Sequence, residues 1–230
     1  MDAAALKNFL ADNPPAVVRL EVGNHFDALS EKHARYAHYI SKASFAGFRI
    51  VLRQCSPESE HIFDFIIALH NAANGDWKSL AAKAGVDESE VTYFLEYAAQ
   101  FLGNEGNYKG FGDVKFIPRA SEKSVAALAA TSPEATKAYE ATNGGIFAPG
   151  TEGQMHLGFI DQDHVTTYYP DSPDIKKGEI DAISSWMENK GLLPENTRLR
   201  KNKDGSFDLL IACADTSAPA DGSDVGKETS

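Results

Sequence analysis

Apolar residues recur at helical spacing through the first half of the chain, and this pattern predicts a mainly helical fold there. Ser30 is typical of a helix N-cap. The helix predicted after it carries apolar or small residues along one face: Tyr36, Tyr39, Ile40, Ala43, Gly47 and Ile50. We expect the small residues on that face to let a second helix approach closely. Ser56-Pro57 predicts the start of the next helix. Apolar residues surround almost its whole circumference, so we expect it to be buried.

Polar residues at characteristic positions predict further helix ends. Asp87 and Glu90 fit a capping box, and Gly103 is typical of the C-terminal end of the helix that follows. Ser121 and Ser132 each predict an N-cap.

Later in the chain, a helix is predicted over 174–190, with its apolar residues facing the core and Gly191 ending it.

Short alternating or β-branched runs predict a few strands. Strands are expected over 17–22 and 165–169, and residues 197–200 and 207–213 fit a hairpin around Asp204-Gly205. The fold class is therefore α+β, with a mostly helical first half followed by a few strands. Because so few strands leave an unpaired edge, we expect a truncated domain over 1–213. An acidic, flexible tail is predicted over 214–230.

The charge of the chain narrows the classes of partner. A formal net charge of -11 repels phosphate backbones and anionic lipid, so we expect no nucleic-acid or membrane partner. No basic and apolar leader is visible at the N-terminus, and no apolar run approaches the roughly 20 residues of a membrane span. We expect a soluble, intracellular protein.

The sequence offers no catalytic constellation of a common kind. Its seven histidines form no HExxH pair, and neither a GxSxG elbow nor a phosphate-binding glycine loop is present. The two cysteines, Cys55 and Cys213, suit packing better than catalysis. We therefore name no catalytic residue and no metal ligand.

One irregular segment stands out between residues 103 and 118. It is dense in glycine and contains several aromatic residues and two lysines. Such a loop can line a ligand cleft. Its aromatic residues can equally well fill the core of the domain, and composition alone favours that second interpretation.

The segment GNYKGFGDVKFIP, residues 106–118, resembles the GNYKSFGDxKFxP pattern of the dipeptidyl peptidase III family. SEKHARYAHYISKASFAGFRIVLRQCSPES resembles the long first helix of that family, and HVTTYY and LPENTRLRKNKDGSFDLLIA resemble its following strand and hairpin. The resemblance covers about residues 16 to 213, and fungal members are the most similar in pattern.

The resemblance implies the lower lobe of a two-lobed, cytosolic zinc exopeptidase, with part of a mixed β-barrel that later strands would complete. In that family an HExxGH motif and a later glutamate supply the zinc ligands, and this sequence stops before them. Zinc is therefore expected in the full-length family and not bound to this chain. The resemblance makes Tyr108, Lys109, Phe111 and Gly112 candidates for lining the substrate cleft. Gly110 stands where the family commonly has serine, so a hydroxyl contact there is not expected.

Two functions of different classes remain open at this point. The first is the N-terminal lobe portion of a dipeptidyl peptidase, inactive alone, whose partners are short peptides and the missing zinc-bearing lobe. The alternative is a truncated, non-catalytic paralogue that binds peptides or a protein. A metal-free hydrolase using Lys109 or a histidine is a third idea that no spacing supports.

Overall fold

A computed structural model describes the chain in five stretches: residues 6–18, 20–109, 114–147, 155–195 and 197–211. The chain divides into two compact units, Met1–Thr151 and Glu152–Ser230. The predicted tail, residues 214–230, lies outside the described residues. The single portion predicted over 1–213 stays a prediction.

The described part of the first unit is helical. Its helices are α1 Gly23–Asp27, α2 Glu31–Cys55, α3 Ser59–Ala73, α4 Trp77–Ala84, α5 Glu88–Asn104, α6 Glu122–Ala129 and α7 Pro133–Ala141. Short 3-10 turns occur at Lys7–Phe9 and Gly145–Phe147. None of the helices in the described stretches is long and apolar enough to cross a membrane.

Three predicted N-caps are confirmed by side-chain hydrogen bonds. The Ser30 Oγ accepts from the backbone N–H of His33 at the start of α2. Ser121 caps α6 and Ser132 caps α7 in the same way, with Pro133 in the first turn of α7. These hydroxyls satisfy backbone N–H groups that have no partner inside the helix.

Helix α3 places one face in the core of the first unit, but it is not buried all round as its apolar pattern predicts, since Ile67 is 39% exposed. Ile62, Phe65 and Leu69 are fully buried. The Phe65 ring lies 5.6 Å from the ring of Phe94 on α5 and 5.2 Å from the ring of Tyr139 on α7. Aromatic side chains bury a large apolar area and therefore contribute much of the free energy gained by forming a small core.

The second unit combines one helix with one hairpin in its described part. Helix α8 spans Lys177–Asn189, and Gly191 follows it with a left-handed backbone, as predicted. The strands β1 Thr197–Lys201 and β2 Phe207–Ile211 pair antiparallel, which confirms the hairpin. The α+β class is confirmed, while the incomplete barrel stays a prediction.

Two predicted strands are wrong. Residues 17, 18 and 20–22 form no strand in the structure, and Val18 and Leu20 are about four-fifths exposed. No neighbouring strand in the described stretches offers a backbone ladder there, and β-branched residues alone cannot supply one. In 165–169 a single bridge joins Val165 to Leu157.

The predicted ends of α5 also differ from the structure. The Asp87 side chain makes no cap hydrogen bond, and a Glu90 oxygen accepts instead from the backbone N–H of Ser121, at 2.7 Å. At the other end, α5 continues past Gly103, and Glu105 takes the left-handed conformation with φ 54°. A capping box needs its acid to turn back on its own helix, and this acid is used by the start of α6.

Candidate functional site

The glycine-rich segment folds into a short two-stranded ribbon between α5 and α6. Tyr108 pairs with Lys115, and the Lys109 N–H donates to the Val114 carbonyl at 2.9 Å. The Phe116 N–H donates to the Asn107 carbonyl, also at 2.9 Å. We call residues 107–116 the signature ribbon. Its connecting residues, 110–113, lie outside the described residues.

The signature ribbon is continued by backbone bonds to the N-terminal segment. The Ile117 N–H donates to the carbonyl of Phe9, and the Ala11 N–H donates to the carbonyl of Ile117, each at 2.8 Å. Both ends of the ribbon are therefore fixed to the body of the first unit, one by α5 and one by residues 9–11.

The structure places two of the four candidate cleft residues. Tyr108 is buried, with 5% of its surface exposed. The Lys109 ammonium lies 3.2 Å from an Asp12 carboxylate oxygen, and the Lys109 side chain is one-third exposed. Phe111 and Gly112 lie outside the described residues. The cleft role of all four stays a prediction.

A buried ion pair lies beneath the signature ribbon and was not predicted. The Lys115 ammonium donates to Glu58 Oε1 at 2.5 Å and to the Gly145 carbonyl at 2.7 Å. Lys115 is 3% exposed and Glu58 is 8% exposed. The Asn107 amide donates to the same Glu58 oxygen at 2.8 Å. Burial of a carboxylate is tolerated when a cation and further donors surround it, as here.

Two serines extend this arrangement at the junction of α2 and α3. The hydroxyls of Ser56 and Ser59 lie 3.1 and 3.0 Å from Asn107 Oδ1. We call Ser56, Glu58, Ser59, Asn107 and Lys115 the buried polar cluster. It joins the α2–α3 junction to the signature ribbon through side chains that are all buried.

Two tyrosine hydroxyls close to the cluster are kept neutral. Tyr97 and Tyr108 are buried, and neither hydroxyl has a hydrogen-bond partner within the described stretches. Burial, and then the negative charge of Glu58, raises the pKa of both phenols well above its ordinary value. Neither phenol is therefore a base or a nucleophile near neutral pH.

The described residues do not assemble a recognisable catalytic or metal centre. Glu58 is paired with Lys115, and burial raises the pKa of the Cys55 thiol beside the cluster. Among the described residues, no group of three or more His, Cys, Asp or Glu side chains could hold a metal ion. The rings of His156 and His164 lie 5.7 Å apart. The described residues thus do not fit a zinc site.

Sequence reasoning missed the cluster because its members lie far apart in the chain. Asn107 and Glu58 are 49 residues apart, and Lys115 and Glu58 are 57 apart. One local signal was available: Lys115 stands between Val114 and Phe116-Ile117, and such an apolar neighbourhood indicates a lysine that needs a buried partner.

One protein-family model matches part of the chain. The family model described as peptidase family M49 matches residues 138–229.

Among curated proteins, dipeptidyl peptidase 3 of Dictyostelium discoideum is 38% identical over 218 residues, covering 94% of this chain and 31% of that protein. Dipeptidyl peptidase 3 of Nematostella vectensis is 34% identical, covering 93% of this chain and 30% of its own length. The human protein of the same name is 28% identical over 94% of this chain and 30% of its own length.

The chain is thus similar to the dipeptidyl peptidase 3 proteins, as the motifs predict, and its partial coverage of them is consistent with their N-terminal part. It spans about a third of the length of the curated relatives it matches. The particular likeness to fungal members stays a prediction.

Proposed function

We propose that this chain is the N-terminal lobe portion of a zinc-dependent dipeptidyl peptidase that releases N-terminal dipeptides from short peptides. In this proposal it contributes to the substrate cleft and does not hydrolyse peptides alone. The observation that carries the proposal is the match to dipeptidyl peptidase 3 over 94% of the chain. A cytoplasmic location follows from the same resemblance.

The signature ribbon supports a cleft role for the segment that it presents. Lys115 is held by Glu58 and the Gly145 carbonyl, and Lys109 is held by Asp12. The buried contacts of Lys115 and the backbone bonds to residues 9–11 hold the described strands of the ribbon in place. Little conformational freedom is then lost at Tyr108 and Lys109 when a peptide binds beside them. Phe111 and Gly112 lie between the two strands in the sequence.

Zinc belongs to another part of the full-length protein in this proposal. The HExxGH motif expected of the family does not occur in the sequence, and the described residues offer no set of ligands in its place. The chain's contribution would be to bind and orient the peptide, and the missing zinc-bearing lobe would be its partner.

Peptidase activity of this chain, alone and completed by its relative, tests the proposal. The longer protein, called the chimera below, is Dictyostelium dipeptidyl peptidase 3 with this chain in place of the segment that it matches. Dipeptide release from an arginyl-arginyl chromogenic substrate is measured with added zinc for both proteins. We expect release by the chimera, its loss on chelation, and no release by the chain alone.

A matched control replaces the glutamate of the HExxGH motif in the chimera by glutamine, which should abolish release because that residue is the expected general base. Chelator-sensitive release by the chain alone, after purification from a host lacking the peptidase, would overturn the proposal. So would an inactive chimera that is folded and binds zinc. Peptide binding in that case would favour the non-catalytic alternative.

A further inference from the structure

Helices α1 and α2 form a surface that the other described residues of the chain barely cover. Every residue in 20–47 is described, and none of them is buried. In the 25-residue helix α2 only Leu52 is buried, close to its C-terminal end. A helix of this length that buries one residue contributes little to the core that supports it. Its apolar residues are therefore available for another contact.

One face of α2 carries a continuous apolar stripe. Its members are Tyr36, Tyr39, Ile40, Ala43, Gly47 and Ile50, and we call them the α2 stripe. Their spacing of three and four residues places them along one side of the helix. Tyr36 and Tyr39 are 68% and 66% exposed, and Ile40 and Ile50 are about half exposed.

The centre of the α2 stripe is shaped for close approach. Ala43 and Gly47 lie between the larger side chains, and a Cβ built on Gly47 would meet no atom within 4 Å. Large side chains at both ends and small ones in the middle form a shallow groove. A second helix can pack into such a groove by placing its ridge of side chains between those of the first.

Charge on one flank of α2 indicates the chemistry of the partner. The helix contains five basic residues and a single acidic one, Glu31, in a chain of net charge -11. Arg35, Lys42, Arg49 and Arg53 follow one flank of the stripe at helical spacing. Arg49 and Arg53 already bind Glu60 on α3. Arg35 lies 3.5 Å from Glu31 in an exposed pair within α2, and Lys42 lies further along the same flank. An exposed pair of this kind is weak, so acidic side chains of a partner would still be favoured beside Arg35 and Lys42.

The same charges disfavour a second copy of this chain as the partner. In an antiparallel pair of two α2 helices related by a two-fold axis, the basic flanks would lie side by side. Like charges placed together across an interface weaken it. A different source is therefore required for a partner with an apolar face and an acidic edge.

The length of the relatives identifies that source. The Dictyostelium and Nematostella proteins match 94% and 93% of this chain. The chain in turn covers only 31% and 30% of their own length. We propose that the α2 stripe is the docking surface for a helix from the part of a dipeptidyl peptidase 3 protein that has no counterpart in this chain. That helix would present an apolar face and acidic residues on the side of Arg35 and Lys42. The inference rests on the proposed function and adds the surface that joins the two parts.

Chemical protection of the stripe tests the inference without using peptidase activity. Tyr39→Cys is introduced into the chain and into the chimera, each with Cys55→Ala and Cys213→Ser. The chimera keeps its other cysteines, and their reaction is measured in the same protein without Tyr39→Cys and subtracted. We expect the new thiol to react freely in the chain alone and at least ~10-fold more slowly in the chimera, because a docked helix excludes the reagent. Equal rates in the two proteins would overturn the inference.

A charge placed in the stripe gives a second, independent measurement. Ile40→Asp should leave the melting temperature of the chain alone unchanged and lower that of the chimera. His38→Asp is the matched control, since it puts the same side chain on the opposite side of α2. His38 lies beside α1, with its ring 5.2 Å from that of Tyr39, so this variant should change the melting temperatures of the chain alone and of the chimera equally. An unchanged melting temperature of the Ile40→Asp chimera would count against docking.

Co-purification and light scattering distinguish docking from self-association of the chain. If the chimera does not accumulate, this chain and the remainder of the Dictyostelium protein are produced together as separate chains. Co-purification that is lost with Ile40→Asp and kept with His38→Asp supports docking, and failure to co-purify overturns it. Light scattering that shows the chain alone as a dimer, made monomeric by Ile40→Asp, would assign the stripe to a second copy. A protected residue 39 in an inactive chimera would overturn the proposed function and leave the docking surface supported.

Discussion

Helices α2 and α3 follow one another along the chain, and both carry apolar stripes, yet only α3 has its stripe covered within the described part of the first unit. Ile62, Phe65 and Leu69 on α3 are fully buried, whereas Tyr36 and Tyr39 on α2 are two-thirds exposed. Both patterns have helical spacing in the sequence, although the apolar residues of α2 follow one face and those of α3 surround almost its whole circumference. Their different fates show that periodicity indicates a contact surface and leaves open which part of which chain covers it.

Removing one aromatic side chain from each helix should give the largest difference in stability between α2 and α3. Phe65→Ala should lower the free energy of unfolding by about 3–5 kcal/mol, because it leaves a cavity against Phe94 and Tyr139. Tyr39→Ala should change it by no more than about 0.5 kcal/mol, since Tyr39 contacts solvent in this chain.

Urea unfolding of the chain alone gives both values. The fluorescence of Trp77 is followed in a Trp186→Phe background, so that the signal reports the first unit, which contains Trp77. A large cost for Tyr39→Ala would show that α2 is covered in the isolated chain and would remove the contrast between the helices.

A second test concerns the junction where the two helices meet the signature ribbon. Lys115→Met should lower the free energy of unfolding by about 3–5 kcal/mol, because it leaves the buried Glu58 carboxylate without its cation. Lys109→Met makes the same chemical change at a partly exposed pair with Asp12 and should cost less than about 1 kcal/mol.

The double variant Glu58→Gln with Lys115→Met separates the charge from the packing. It should recover much of the stability that Lys115→Met loses, because no unpaired charge is then buried. If both lysine variants unfold at the same urea concentration, the buried polar cluster does not fix the ribbon.

The ion pairs between α2 and α3 should make a small, pH-dependent contribution to stability. Hydrogen bonds from Arg53, and then from Arg49, lower the pKa of Glu60 from 4.5 to about 2. A carboxylate with a lowered pKa in the folded chain contributes stability that is present above its unfolded pKa and is lost as the pH falls toward the folded pKa. The contribution should therefore decline between about pH 4.5 and 2.

Urea unfolding at a series of pH values measures this decline in the original chain and in Glu60→Gln. The variant should show a smaller loss of stability on acidification over that interval. Asp64→Asn removes only the outer contact of Arg49 and serves as the comparison. Identical pH dependence of the original chain and Glu60→Gln would show that the ion pairs add nothing measurable.

Local chemistry explains which parts of the fold could be predicted. The N-caps Ser30, Ser121 and Ser132 act within three residues of themselves, so the sequence alone indicates them. The α3 core and the β1–β2 hairpin also follow from short-range patterns. Glu90 shows the limit, because its acceptor role depends on Ser121, 31 residues away, and not on its own helix.

The candidate site also combines a local part that the sequence indicates with a long-range part that it does not. Its motif was recognised from contiguous residues, and the ribbon of Tyr108 and Lys115 occupies that motif. The ion pair that supports the ribbon depends on Glu58, which lies in a different part of the chain. Pairings at such separations are decided by packing, and a single sequence contains no measure of them.

Gly145 couples the residues allowed at positions 58, 115 and 145. A Cβ built there would lie 2.7 Å from Glu58 Cγ and 2.8 Å from Glu58 Cβ, so any larger residue would displace the acid. The Gly145 carbonyl also accepts from Lys115. A lineage that replaces this glycine must therefore rearrange the acid and the lysine as well. Positions 58, 115 and 145 should drift together or remain fixed together as related chains diverge.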